Sequence, residues 1–169
     1  MAFHRLAEAG ITLVGENRLQ DLIAKQRLHE PLFRWHFIGH LQSRKARDVS
    51  ALCELCHSLS SASAARRLTI PALVEVNLSG EESKSGVAPE ALAGFLAEMR
   101  ELGVDVRGLM TMPPLSHDPE ASRPYFRRLR ELASEHSLEQ LSMGTSQDYR
   151  VAAEEGATLV RVGSVLYGR

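Results

Sequence analysis

No uninterrupted apolar run in the sequence approaches the roughly 18 residues of a membrane-spanning helix, and no basic-then-apolar leader opens it. Both absences predict a cytoplasmic protein that crosses no membrane, in which the sequon pattern Asn77-Leu78-Ser79 has no consequence. Cysteine is scarce. The two cysteines stand in Cys53-Glu54-Leu55-Cys56-His57, the spacing of a c-type haem attachment site or of a redox pair. Haem attachment requires export, and a thioredoxin-like pair belongs between a strand and a helix start. Zinc would need a second ligand pair at matching spacing, which does not follow. Two small buried thiols beside a strand are the expectation. Neither sign of charge dominates, with 20 Lys and Arg against 21 Asp and Glu, and only 5% of residues are aromatic. That balance excludes nucleic acid as a partner, despite the clusters Arg44/Lys45/Arg47 and Arg127/Arg128/Arg130. The dinucleotide signature GxGxxG and the P-loop signature GxxxxGK[ST] are both missing.

What is there is an alternation of short apolar runs and amphipathic stretches. Seven strand candidates cover residues 11–17, 35–41, 56–61, 71–79, 106–113, 140–146 and 158–168. Most are continuously apolar, as parallel strands covered on both faces should be. Leu92, Phe95, Leu96, Met99 and Leu102 form one helical stripe, and Tyr125, Phe126, Leu129, Leu132 and Ala133 form another. Pro89 and Glu90 suit a first helical turn, and Gly103 follows that helix's end. Strand and helix in alternation give a parallel α/β sheet, and the missing dinucleotide signature favours a (β/α) barrel over an open sheet. With no linker or repeat, residues 1–169 read as a single domain.

Strand C-termini are where such folds build sites, and several end in chemically useful residues: Glu16-Asn17, Gly39-His40, Asn77, Thr111, Gly144-Thr145-Ser146 and Gly163-Ser164. In Leu141-Ser142-Met143-Gly144-Thr145-Ser146 the chain turns before a helix expected over about 147–155, so that backbone N–H groups and hydroxyls can face an anion. Arg161-Val162-Gly163-Ser164 repeats the theme at the final strand. The loops after the last two strands of a barrel are a common phosphate site, which indicates a phosphorylated small-molecule ligand. Two ordinary turns with capping hydroxyls are the alternative. Arg161, set in an apolar strand, should meet a ligand or a core carboxylate.

The stretch Trp35-His36-Phe37-Ile38-Gly39-His40-Leu41-Gln42-Ser43-Arg44-Lys45-Ala46-Arg47 resembles the signature of the YggS/PROSC family of pyridoxal-phosphate-binding proteins, whose barrel is like the N-terminal domain of alanine racemase. Further matches run along the chain at 15–17, 56–58, 77–86, 107–113, 142–148 and 160–168. The resemblance implies a TIM (β/α) barrel of the alanine racemase N-terminal type and pyridoxal 5′-phosphate (PLP) as cofactor. It also implies a non-catalytic role in PLP (vitamin B6) and amino-acid homeostasis, and a monomer. By the same resemblance the phosphate would be held around Ser146, Gly163 and Ser164, with Gly144 and Thr145 shaping the turn. Arg161 would lie near the pyridine nitrogen, and Asn17 and His36 would flank the ring. Arg44, Lys45 and Arg47 would start a helix at the rim as solvated cations.

Family members carry their Schiff-base lysine in a first strand, preceded by a helix, and the match here begins after both. The sequence has three lysines: Lys25 in the helix after Gly15-Glu16-Asn17, Lys45 in the helix after His40-Leu41-Gln42, and Lys84 in the loop after Asn77. None stands within a predicted strand, so PLP is expected to be held non-covalently or not at all, with Lys84 the one surrogate. Seven strands do not close an eight-stranded barrel, which leaves edges at 11–17 and 158–168 for pairing, exchange between protomers or an open barrel. The segment 62–70 has room for little more than two helical turns. Two other functions remain open: an amino-acid racemase, which needs that lysine and a second acid/base from a further domain, and a lysine-less remnant that binds phosphorylated metabolites.

Overall fold

The computed structural model describes residues 2–29, 32–81 and 84–167. Seven strands, β1 (Leu13–Glu16), β2 (Arg34–Phe37), β3 (Leu55–Leu59), β4 (Ala72–Glu75), β5 (Val106–Met110), β6 (Gln140–Thr145) and β7 (Leu159–Arg161), form one sheet in sequential order. Every neighbouring pair is parallel. The helices are α1 (Ala2–Glu8), α2 (Leu19–His29), α3 (Ala46–Leu52), α4 (Ala62–Ala65), α5 (Leu92–Glu101), α6 (Arg123–Glu135), α7 (Tyr149–Glu154) and α8 (Ser164–Tyr167). The sheet curls into a near-closed barrel: β1 and β7 do not pair, yet both line one cavity.

Period-two alternation sorts the strand residues into an outer and an inner face. Outside, Trp35, Phe37 and Cys56 pack with Leu22 of α2 and Val49 of α3, joined by Leu59 beyond a register shift in β3, while Val74, Leu109 and Met143 pack with Leu92 of α5 and Phe126 and Leu129 of α6. Both predicted helical stripes therefore cover the sheet. Inside, Leu55, Leu73 and Met110 form a small apolar layer with Leu159 against it. Two residues further along three of those strands stand His57, Glu75 and Arg161, so a polar layer lies directly above the apolar one, toward the strand C-termini.

Two glycines permit the close approaches this curvature needs. A Cβ on Gly39 would fall 1.9 Å from the carbonyl oxygen of Asn17, and one on Gly108 would fall 1.9 Å from that of Gln140. Both cysteines are free and buried, and burial pushes the Cys53 thiol up to about 12. Arg44 and Arg47 are exposed beside the start of α3, as solvated cations should be.

The expected strand over 158–168 is shorter. β7 stops at Arg161, and residues 164–167 form α8 instead. The hydroxyl of Ser146 accepts the N–H of Gly163 at 3.0 Å and of Val165 at 3.4 Å, which draws the chain out of the sheet. With no strand paired on that edge, no ladder holds the chain extended. Residue 168 lies outside the described residues. The 71–79 run likewise ends as a strand at Glu75, after which only Val76 pairs, with Val87.

Candidate functional site

A cavity of about 410 Å³ lies between β1 and β7 and runs to the strand C-termini. Of the residues singled out in the sequence, Asn17, His36, Arg161 and Gly163 line it. Asn17 is exposed at the end of β1, and its backbone rests on Gly39, so the Gly39 turn of the Trp35–Arg47 stretch braces the Asn17 side of the cavity.

Arg161 reaches across the polar layer. Its Nη1 donates to Ser142 Oγ at 2.5 Å, and its Nη2 donates to the carbonyl of Thr111 at 2.9 Å and touches Met112 Sδ. Among the described residues no carboxylate pairs with it, so the expected choice between ligand and core acid is left to the cavity. Burial pulls the guanidinium down to about 10, against the opposing fields of Asp148 and Glu75. The cost of that desolvation marks a charge held for something other than stability.

Ser142 continues the chain of contacts. His57 Nδ1 lies 2.8 Å from Ser142 Oγ, and His57 Nε2 lies 2.8 Å from His36 Nδ1. Burial lowers His57 to about 3, aided by His36 and Arg161, and lowers His36 to about 4, aided by Arg34. Both imidazoles are thus neutral. Glu75, capped by the Ser85 hydroxyl at 2.9 Å, is pushed above the usual carboxylate range by burial.

The turn after β6 divides its labour. Gly144 has φ +91°, and a Cβ there would meet that of Ala152 at 2.5 Å, so only glycine lets α7 pack this closely. Thr145 is consumed by the turn: its N–H and its hydroxyl both donate to Asp148 Oδ1, at 2.7 and 3.1 Å. Asp148 Oδ2 in turn accepts the Ser122 hydroxyl at 2.7 Å. Thr145 therefore shapes the loop, while Ser146 faces the β7 loop and gathers two N–H groups there. Ser164 is exposed at the start of α8, in the same loop region.

Sequence reasoning did not single out His57 or Glu75, and it assigned Ser142 to the turn, whereas Ser142 is buried inside the strand. For His57 and Glu75 the signal was the alternation itself, each standing two places beyond an inward-facing leucine, Leu55 and Leu73. Lys84 does not enter the cavity between β1 and β7. It lines a separate cavity of about 480 Å³ at the ends of β4 to β6 and pairs with Glu81 at 3.1 Å. Lys25 does line the first cavity.

The model of the alanine racemase N-terminal domain family matches residues 1–169. The chain belongs to that family. It is 43% identical over 176 residues to the pyridoxal phosphate homeostasis protein of Aquifex aeolicus, covering 94% of this chain and 77% of that protein. The protein of the same name from Pseudomonas aeruginosa is 40% identical over 173 residues, covering 95% of this chain and 75% of that one. PipY of Synechococcus elongatus PCC7942, in a structure with PLP bound, superposes with TM-score 0.90 at 34% identity, over 99% of this chain and 86% of that chain. Family membership agrees with the barrel topology and with the resemblance carried by the sequence motifs.

Proposed function

We propose that this chain binds pyridoxal 5′-phosphate at the C-terminal mouth of the sheet and serves PLP homeostasis in the cytoplasm as a carrier, without turnover of its own. The observation that carries the reading is Arg161, a guanidinium without a carboxylate partner among the described residues, aimed by Ser142 and Thr111 at the cavity that Asn17, His36 and Gly163 line. When bound, PLP supplies an electron sink through its ring. The residues present fit the group. Ser146, Gly163 and Ser164 form the loop pair that receives the phosphate, where backbone N–H groups already converge on an oxygen. Asn17 and His36 bound the ring from the β1 and β2 side. Arg161 faces the ring nitrogen and, as a cation, disfavours its protonation, which weakens the sink and suits carriage better than catalysis. Neutral His36 and His57 add no competing charge.

Equilibrium dialysis of the purified chain against PLP, pyridoxal and inorganic phosphate tests this reading. Saturable one-to-one uptake of PLP, with much weaker uptake of the two halves, is expected, together with loss in Ser146→Ala and Arg161→Met. Equal affinity for any phosphorylated metabolite would favour the remnant reading, and no uptake of PLP would end the proposal.

A further inference from the structure

Glu75 ends β4 at a place where its side chain must turn inward. Leu73, two residues earlier, belongs to the inner apolar layer, so strand alternation sends Glu75 to the same side. The residue is 7% exposed and lines the cavity of about 480 Å³ at the ends of β4 to β6. The loop that follows folds back tightly on the strand end: Val87 pairs with Val76, and a Cβ on Gly86, at φ +120°, would fall 2.7 Å from the backbone nitrogen of Asn77. That return brings the Ser85 hydroxyl to Glu75 Oε1, to which it donates at 2.9 Å. Oε2 has no hydrogen-bond partner among the described residues. The other two ionisable side chains lining this cavity are already satisfied. Asp148 accepts from Thr145 on one oxygen and from Ser122 on the other, and Lys84 pairs with Glu81 at 3.1 Å. Met112, Pro113, Pro114 and Leu115 make one wall apolar. His40 and Arg161 act on Glu75 through their fields, but neither bonds it, and a carboxylate this buried is costly without a cation in contact.

We propose that this cavity binds a small apolar primary amine, whose ammonium donates to Glu75 Oε2 while its hydrocarbon part lies against the wall from Met112 to Leu115. The volume falls in the range of about 300–1,000 Å³ that suits small molecules. An anion would meet opposition from Glu75 and Asp148. A hard metal ion needs about six oxygen ligands, whereas among the described residues no group of three or more His, Cys, Asp or Glu side chains converges. A guanidinium prefers both oxygens of a carboxylate, but Ser85 already holds Oε1, so a single acceptor is left for a point charge. Burial pushes the carboxyl above its usual range, and an ammonium at Oε2 counters that by favouring the charged form. The two cavities share no lining residue, so the inference goes beyond the PLP-binding reading and stands or falls without it.

The test is calorimetric titration of phenethylamine into the purified chain without PLP, beside phenethyl alcohol, 3-phenylpropionate and phenylalanine. Carbon-13 methyl spectra of methionine-labelled protein follow Met112 in the same titrations. Saturable one-to-one uptake of the amine with a shift of the Met112 methyl is expected, with no measurable uptake of the alcohol or the acid. Phenylalanine should bind more weakly than the amine, because Lys84 is already paired and Glu75 and Asp148 oppose the added carboxylate. Glu75→Gln keeps the size of the side chain and an oxygen for Ser85 but removes the charge, and should weaken amine uptake roughly tenfold to a hundredfold. Should that variant fail to melt as a folded protein, Leu115→Lys decides the matter: the position is 86% exposed, so the fold is undisturbed, and a cation at the rim should weaken amine uptake. The proposal is overturned by absence of amine uptake in wild type, by equal uptake of the alcohol, or by an unmoved Met112. Undiminished amine affinity in folded Glu75→Gln or in Leu115→Lys overturns it too, and tighter uptake of phenylalanine overturns the assignment to a simple amine.

Discussion

Ser142 Oγ stands 2.8 Å from His57 Nδ1 and, on its other side, receives Arg161 Nη1. This contact gives the polar layer a direction. A guanidinium only donates, and Ser142 is fully buried with no other partner among the described residues, so its one hydroxyl proton has an acceptor only at His57 Nδ1. His57 then carries its proton on Nε2 and donates to His36 Nδ1, and His36 carries its own on Nε2. A buried hydroxyl that instead accepted twice would leave its own proton without a partner, at a cost of about 1–3 kcal/mol. The chain Arg161 to Ser142 to His57 to His36 thus ends in a donor lining the cavity.

Nitrogen-15 NMR of the imidazoles should accordingly find both His36 and His57 neutral and in the Nε2–H tautomer at pH 7. In Ser142→Ala the His57 tautomer is no longer fixed, and the cross-peak pattern should become a mixture while the fold persists. A charged ring or an Nδ1–H His36 in the wild-type chain would contradict the direction argued here.

The same two histidines set a pH dependence. In the unfolded chain each titrates near 6.5, whereas in the fold burial lowers them to about 4 and about 3. Below pH 6.5 the unfolded state binds protons that the folded state refuses. Their contribution is therefore fully present above 6.5 and is lost as pH falls toward 4, by up to about 1.4 kcal/mol per pH unit for each ring. Glu75, raised above its ordinary value, acts in the opposite sense: its contribution is present below its ordinary value and lost as pH rises through the raised one. Urea midpoints at pH 7 and pH 5 should differ clearly in wild type and by less in His57→Asn. A flat profile in wild type would show that the rings are not held neutral.

The architecture was legible because each strand run and each amphipathic stripe had an independent physical signature. Leu92 with Met99, and Phe126 with Leu129, lie on the faces their spacing implied. The bend after β6 was legible too, since Gly144 and Ser146 are informative in any chain that must turn after a strand. The His36–His57–Ser142–Arg161 chain was not, because it joins residues up to 85 positions apart that only the curl of the sheet brings together. The end of β7 was misjudged for a related reason. Val162, Val165 and Leu166 read as strand by composition, but a run on an unpaired edge has no ladder to enforce that choice, and the Ser146 hydroxyl decides it.

Gly39→Ala should destabilise the chain by about 2–3 kcal/mol, the scale of overpacking in a filled site, because its Cβ would sit 1.9 Å from the Asn17 carbonyl and neither backbone can retreat without moving β1 or β2. Gly94→Ala, in an exposed position of α5 with nothing within 4 Å of the added Cβ, is the control and should be neutral or slightly stabilising. Denaturant midpoints read the difference. Equal midpoints would show that the approach of the two strand ends is looser than described.

Arg161→Lys should separate binding from folding. The ammonium is a single point of charge and cannot hold Ser142 Oγ and the Thr111 carbonyl at once, as the forked guanidinium does at 2.5 and 2.9 Å. Losing one charge-assisted hydrogen bond costs about 1.5–3 kcal/mol, which corresponds to a fall of roughly tenfold to a hundredfold in PLP affinity if that geometry positions the cation against the ring. The fold should lose no more than that one hydrogen bond, since Arg161 carries no ion pair among the described residues and its burial opposes its charge. Dialysis against PLP and thermal melts on the same samples decide the matter. A loss of affinity with a nearly unchanged melt places Arg161 in the site, whereas matched losses in both would make it a residue that holds β7 against β5 and β6.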